Sequence, residues 1–284
     1  MIQKPMIALV LLFATFIVKA QKMDKRFANK KTMPFAFVEE IDSKALGENR
    51  VLNVYLPYGY HPDSVQTYPT IYVLDGTAHE DFPHIAGLAQ FMNMYDLLPK
   101  SIVVGIANKG KSRYRDFTHP TTDAAEKKRL PQAGGSPKFI AYVANEVIPL
   151  IQKNYKTNGK RTIIGQSLGG LLATEFLMKK PDLFDDYIIV SPSLWWSKMA
   201  LVNTAAKYLK EKQQLKKRVY VSLGKEHPVM HKVADQLINA IKNSGNKHLK
   251  VYYKPILTED HATILHKAVY EAFETFYPKK REKH

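Results

Sequence analysis

Arg161-Thr162-Ile163-Ile164-Gly165-Gln166-Ser167-Leu168-Gly169-Gly170 is the stretch whose reading decides the fold. A β-branched apolar run, 162–164, breaks directly into G-x-S-x-G and then into a helix-forming segment, 171–180, so Ser167 falls on a turn between a strand and a helix. Such a turn is a nucleophile elbow. Its backbone is too crowded for Cβ atoms near the serine, hence a glycine two residues to either side, and the crowding pushes the hydroxyl out above the sheet. The helix that follows aims its first amides at whatever the serine attacks. G-x-S-x-G alone is a weak pattern, because Gly and Ser are frequent in turns; the strand before it and the helix after it give it meaning.

Outward from the elbow, strand and helix signals alternate. Residues 35–38 and 50–56 read as two strands around a turn at 46–49, an antiparallel start to a sheet. Residues 69–74 and 101–106 are nearly continuous apolar runs, as expected of strands covered on both faces. Between them 88–98 has helical spacing, and 139–151 is an amphipathic helix leading to the elbow strand. Past the elbow come strands at 187–190, 219–223 and 249–253, with helices at 199–210, 229–242 and 262–276. This alternation predicts an α/β fold with a mainly parallel, twisted sheet of about eight strands flanked by helices. From 108 to 135 the chain is polar, and a loop of that length is expected to serve as a lid or binding loop.

With 284 residues, 45% hydrophobic and 24% charged, the chain suits one large core, and neither disorder nor a fibrous repeat is indicated. Lys4, an apolar run over 6–18 and Val18-Lys19-Ala20 read as a cleaved secretory signal over 1–20. The run is shorter than the roughly 20 residues that span a bilayer, so no stable membrane insertion is expected after cleavage. The organisation expected is a signal at 1–20, a basic lead-in at 21–33 and one catalytic domain at 34–284, in a periplasmic or secreted protein. With no cysteine, that exported protein must be stable on its core alone. A net charge of +16 favours anions, but the basic residues are scattered and no binding motif accompanies them, which argues against nucleic acid.

An elbow serine needs an acid and then a histidine, each on a loop at the carboxyl edge of the sheet. The base is expected after the last strand, where Thr258-Glu259-Asp260-His261-Ala262-Thr263 supplies His261. The acid is expected after the preceding strand, where Gly224-Lys225-Glu226-His227-Pro228 supplies Glu226, to fix the imidazole tautomer and stabilise the imidazolium. Asp260 is the rival by proximity, but neighbours on one backbone rarely align as acid and base; Asp235 falls within a helix. The oxyanion hole needs one N–H from the residue after the nucleophile, Leu168, and one from the turn after the third strand, Gly76-Thr77.

Together with these residues, Tyr72-Val73-Leu74-Asp75-Gly76, Val104-Gly105-Ile106-Ala107-Asn108, Arg113-Tyr114-Arg115-Asp116-Phe117-Thr118, Ser191-Pro192-Ser193-Leu194-Trp195-Trp196 and Asp260-His261 give a chain that resembles the putative-esterase family of the α/β-hydrolases. That family includes esterase D, ferric-enterobactin esterases and related acyl esterases and mycolyltransferases. The resemblance covers nearly the whole mature chain and implies an α/β-hydrolase fold without a large cap domain, a Ser-His-acid esterase and no cofactor. It does not specify the ester; the siderophore branch cleaves a cyclic triester carrying a strongly anionic iron complex. One departure is the acid loop, in relatives often glycine, an acidic residue, any residue, glutamate, and here the shorter Gly224-Lys225-Glu226, so a Ser-His dyad stays open beside the triad.

Two further stretches are expected to line the site. Trp195 and Trp196 cannot both face the core, so at least one forms an apolar wall for an acyl or aryl group, with simple packing as the alternative. Of Arg113 and Arg115 one is free to meet an anionic ester while the other pairs with Asp116; a surface salt bridge is the competing reading. His227 and His231 stand four apart but lack a third ligand, so no metal site is expected. The sequence thus points to a serine esterase acting on a small-molecule ester, with acyl transfer on the same fold and a non-catalytic binding module as the alternatives, and leaves the oligomeric state open.

Overall fold

In the computed structural model, residue 31 and residues 33–212 and 214–279 are described. The expected signal at 1–20 and most of the lead-in at 21–33 lie outside the described residues. The described residues from Ala36 onward form one compact unit. Eight strands form one sheet in the order β1-β2-β4-β3-β5-β6-β7-β8. β1 (Phe37–Ser43) and β2 (Glu48–Tyr55) make the expected antiparallel hairpin, turning through 44–47, and β2 runs antiparallel to β4 (Ile102–Ile106). From β4 onward every pair is parallel: β3 (Tyr68–Val73), β5 (Thr157–Gln166), β6 (Asp186–Val190), β7 (Lys217–Ser222) and β8 (Leu249–Tyr253). All five residues of β4 and all five of β6 are buried, which is what near-continuous apolar strands sandwiched by helices should show.

β3 pairs with β4 on one side and β5 on the other, so the strand order reverses there. In open α/β sheets the cleft outside the carboxyl ends at such a reversal is where ligands bind. α6 (Leu168–Lys179) leaves β5 at that point and is buried from Leu168 through Met178. Even Glu175 is inside, its carboxylate accepting from Ser136 Oγ at 2.7 Å and Lys179 Nζ at 2.6 Å. α1 (Asp81–Met94) begins earlier than the expected 88–98, and α9 (Ile264–Phe276) is the last helix among the described residues. Among the described residues no helix is long and apolar enough to cross a membrane.

The polar segment 108–135 is more structured than its composition predicts. It carries α2 (Arg113–Phe117) and α3 (Ala124–Arg129), and leads into α4 (Ser136–Tyr142), a π turn (Val143–Val147) and α5 (Ile148–Asn154). α2 is far too short to persist on propensity. Ion pairs hold it. The guanidinium of Arg50, from β2, is fully buried and donates to Asp116 Oδ2 at 2.7 Å and to Ala107 O at 3.1 Å. Arg115 donates to the other Asp116 oxygen at 2.8 Å and to Glu48 at 2.5 Å, while Ser112 Oγ donates to Asp116 at 2.7 Å. α3 is capped by Asp123, which accepts from Glu126 N at 2.9 Å, and Glu126 in turn accepts from Ser197 N at 3.0 Å, tying the segment to α7 (Trp196–Lys210). The long loop is replaced by two short helices pinned to the body.

Removing one member of a buried ion pair strands the other charge away from water, at a cost of about 3–5 kcal/mol. Asp116→Ala should therefore lower the urea midpoint by a corresponding amount, and the double change Arg50→Met with Asp116→Leu should recover most of the loss. Equal midpoints for wild type and Asp116→Ala would mean that α2 is held by something else.

Candidate active site

Ser167 sits between β5 and α6 at φ 58° and ψ −117°, a left-handed conformation an L-residue adopts only under constraint. Its N–H donates to Val190 O at 3.0 Å, so the strained turn is stitched to the end of β6. Gly165 is required by close approach, since a Cβ there would lie 2.3 Å from Gly169 O. Leu168 opens α6, where the first N–H groups of a helix have no intrahelical acceptor, and one of them can meet an oxyanion. Gly76 is a different case: its N–H donates to Ile106 O at 3.0 Å, so that amide is committed to the sheet edge and Thr77 is the candidate left in the turn.

Glu226 and His261 come from different loops and meet. His261 Nδ1 lies 3.0 Å from Glu226 Oε2, and the other carboxylate oxygen accepts from Ser191 Oγ and, at 3.4 Å, from Gly224 N. Burial by itself would raise the pKa of Glu226, but the hydrogen bonds from His261 and Ser191 outweigh it and hold the carboxyl below its ordinary value. The acid is thus a carboxylate at neutral pH. Its side chain is 4% exposed and that of the histidine 46%, so the dry end of the pair is the acid. The two loops are zipped together by Lys225 N donating to Glu259 O at 2.7 Å, and Gln166 Nε2 donates to His261 O, which anchors the histidine loop to the elbow. Asp260, the rival acid, spends Oδ1 on the N–H groups of Ala262 at 2.8 Å and Thr263 at 3.1 Å. Asp235 lies in α8 (Pro228–Lys242).

Ser167, His261 and Ala262 line two cavities at once, of about 390 and 490 Å³. In the first the other walls are Asp75, Glu80, Asp81, Arg113 and Gln166. In the second they include Ser193, Trp195, Lys225, Glu226, His227 and Met230. The tryptophans divide: Trp196 is fully buried with its indole N–H donating to His119 O at 2.8 Å, whereas half-buried Trp195 lines the second cavity. Neither expected arginine is free. Arg113 reaches the first cavity but is clamped to Asp75, Nε to Oδ1 at 2.6 Å and Nη2 to Oδ2 at 2.8 Å, and Arg115 pairs with Asp116 and Glu48 and lines neither cavity. Sequence reasoning missed Asp75 as Arg113's partner, 38 residues away, and Ser191 as Glu226's, 35 residues away. Among the described residues no group of three or more His, Cys, Asp or Glu could hold a metal ion; His227 instead caps α8, its Nδ1 accepting from Val229 N at 3.3 Å.

The chain is 31% identical over 186 residues to the ferri-bacillibactin esterase BesA of Bacillus subtilis, a match covering 60% of this chain and 63% of that protein. It therefore spans less than two thirds of that relative's length. Among solved structures, an IroE-like serine hydrolase from Shewanella oneidensis superposes with a TM-score of 0.76 at 26% identity, over 85% of this chain and 80% of that one. The BES protein from Bacillus cereus superposes with a TM-score of 0.75 at 25% identity, over 86% and 95%. The family described as "Putative esterase" matches residues 43–270, from the end of β1 into α9, and to that α/β-hydrolase family this chain belongs.

Proposed function

We propose that this chain is an exported serine esterase that cleaves carboxylic esters of the siderophore type through Ser167, His261 and Glu226. The observation that carries the reading is the Glu226–His261 pair at 3.0 Å on the cleft that also holds the strained Ser167. His261 takes the proton from Ser167 Oγ as the oxygen attacks the ester carbonyl, and Glu226 stabilises the imidazolium that results. The N–H of Leu168, with that of Thr77, hydrogen-bonds the tetrahedral oxyanion. His261 then gives its proton to the departing alkoxide, leaving an acyl group on Ser167. Water, deprotonated by the same histidine, releases the acid and restores the serine.

The siderophore assignment draws on the resemblance and on the 31% identical relative, a ferri-bacillibactin esterase. The cleft is compatible with it. Trp195 and Met230 offer a polarizable apolar wall to an aryl group, with Lys225 and His227 beside them to meet negative charge. The carboxylates of Glu226 and Asp260 in the Trp195 lobe are already engaged, by His261 and Ser191 and by the N–H groups of Ala262 and Thr263, whereas the other lobe's arginine, Arg113, is paired with Asp75; an anionic aryl end therefore belongs beside Lys225. Export rests on the sequence of residues 1–20.

A fluorophosphonate probe should label Ser167, and Ser167→Ala should abolish both labelling and turnover; esterase activity surviving in that variant would discard the mechanism. Glu226→Gln keeps the shape but removes the charge, and should lower kcat on the order of 10²–10⁴-fold. An unchanged rate would point to a dyad.

The net charge of +16 should speed capture of an anionic ester, and screening shortens from about 10 Å at 0.1 M salt to about 3 Å at 1 M. Across that range kcat/KM for a cyclic siderophore triester carrying an anionic iron complex should fall steeply while that for a neutral aryl ester stays nearly flat. Lys225→Ala should flatten the first curve, and Arg115→Ala should leave it alone. Parallel curves for the two esters would disconnect the charge from substrate choice.

Burial and the neighbouring charges of Asp75 and Glu80 push the Asp81 carboxyl up to about 7, against the pull of Arg113. An acid whose pKa is raised on folding holds its proton more tightly folded than unfolded, so stability declines as pH rises from about 3.8 to about 7. Asp81→Asn should accordingly raise Tm at pH 8, with the gain shrinking as pH falls toward 4. A gain independent of pH would remove the ionisation of Asp81 as its cause.

A further inference from the structure

Ser191 follows the last residue of β6 and is fully buried at φ 43°, in the left-handed region that glycine accepts and serine does not favour. Its N–H donates to Ser222 O at 2.8 Å, fixing the residue to the end of β7. The one thing a serine offers there that a glycine lacks is a hydroxyl, and that hydroxyl donates to Glu226 Oε1 while His261 engages Oε2. Two residues on, Ser193 N donates to Ser167 O at 3.0 Å and Ser193 Oγ lies 3.4 Å from Ser167 Oγ. Pro192 between them packs against the first turn of α6 so closely that a Cβ on Gly170 would lie 3.0 Å from Pro192 Cα. One tripeptide therefore touches the nucleophile turn with one hydroxyl-bearing residue and the acid with the other.

We propose that Ser191 is a positioning residue for the acid Glu226, and that Ser191-Pro192-Ser193 sets the acid's place relative to the nucleophile. The inference rests on the reading of Glu226 as the acid. A glutamate on the short loop 224–226 has three side-chain torsions, and a carboxylate held only by the histidine could rotate about the last of them and lose the line to Nδ1. Ser191 Oγ, from just past the end of β6, donates to the second oxygen more closely than Gly224 N does at 3.4 Å, and stops that rotation. It reaches Glu226 from the turn after a different strand, so the carboxylate, whose side chain is 4% exposed, is held from two directions.

The test is a double-mutant cycle on a short-chain aryl ester, with Tm measured for each protein. Ser191→Gly suits the backbone at this position, so it should fold with Tm unchanged or higher. Its kcat should fall on the order of 10–100-fold, the range expected for one hydrogen bond to a charged group, with KM within about twofold of wild type. In a Glu226→Gln background the same change should cost less than about threefold, because the group through which Ser191 acts has already been disabled. A wild-type kcat in Ser191→Gly overturns the proposal, and so does an equal fold-loss in both backgrounds or a rate loss that tracks a lowered Tm. A slow Glu226→Gln beside a fast Ser191→Gly would overturn the role of Ser191 alone; a fast Glu226→Gln would remove Glu226 as the acid and this inference with it.

Discussion

Holding an L-residue at φ 58° and ψ −117° costs of order 1–3 kcal/mol, and only surroundings that over-determine the turn can sustain it. Around Ser167 they do so from every side. β5 lies inside the sheet, paired in parallel with β3 and β6, so its carboxyl end cannot shift without breaking two ladders. α6 is buried along nearly its whole length, which fixes the direction in which the chain must leave. Val190 and Ser193 bond the turn itself. The parallel sheet, the buried helix and the glycine two residues before the serine are in this sense consequences of presenting one hydroxyl above the sheet edge.

Charge is organised on two scales. At long range the chain is strongly cationic, yet Arg113, which lines the cleft with Ser167, and Arg115 are both neutralised by partners within hydrogen-bonding distance. Arg113 braces the turn at Asp75 against the elbow, with Nη2 also 3.4 Å from Gln166 O, and so works as a strut in the cleft wall. Arg50 and Arg115 bind the segment 108–135 to the hairpin. Local pairing of this kind leaves the surface lysines to set the field that an approaching ligand meets.

The parts legible in the sequence are those written in local pattern or in chain order. Thr162 to Ser167 read as strand and turn because β-branched residues run straight into Gly165, and Val219 to Leu223 and Leu249 to Tyr253 were visible as apolar runs whose following loops carry Glu226 and His261. What could not be read depends on contacts between distant residues. α2 is held in part by Arg50, which arrives from 66 residues away to meet Asp116, and no window around Asp116 contains that information. The same holds for Gly76, whose amide is occupied by Ile106 of the neighbouring strand, and for Arg113, whose expected freedom ends at Asp75. The division of Trp195 from Trp196 was legible as a necessity, but which of them turns inward is decided by the carbonyl of His119.

The π turn between α4 and α5 has a consequence for how this chain can vary. Phe139, Val143, Val147 and Ile151 are all fully buried, a spacing of four residues. At 3.6 residues per turn an unbroken α-helix would overshoot by about 120° over those twelve steps, carrying Ile151 away from the face that Phe139 presents. The wider turn at Val143–Val147 absorbs the excess. Residue count, rather than residue type, is therefore what keeps both halves of this helix facing the core. The segment should accept an exchange of one apolar side chain for another far more readily than the loss of a single residue, which would return it to the tighter pitch and swing one half toward solvent.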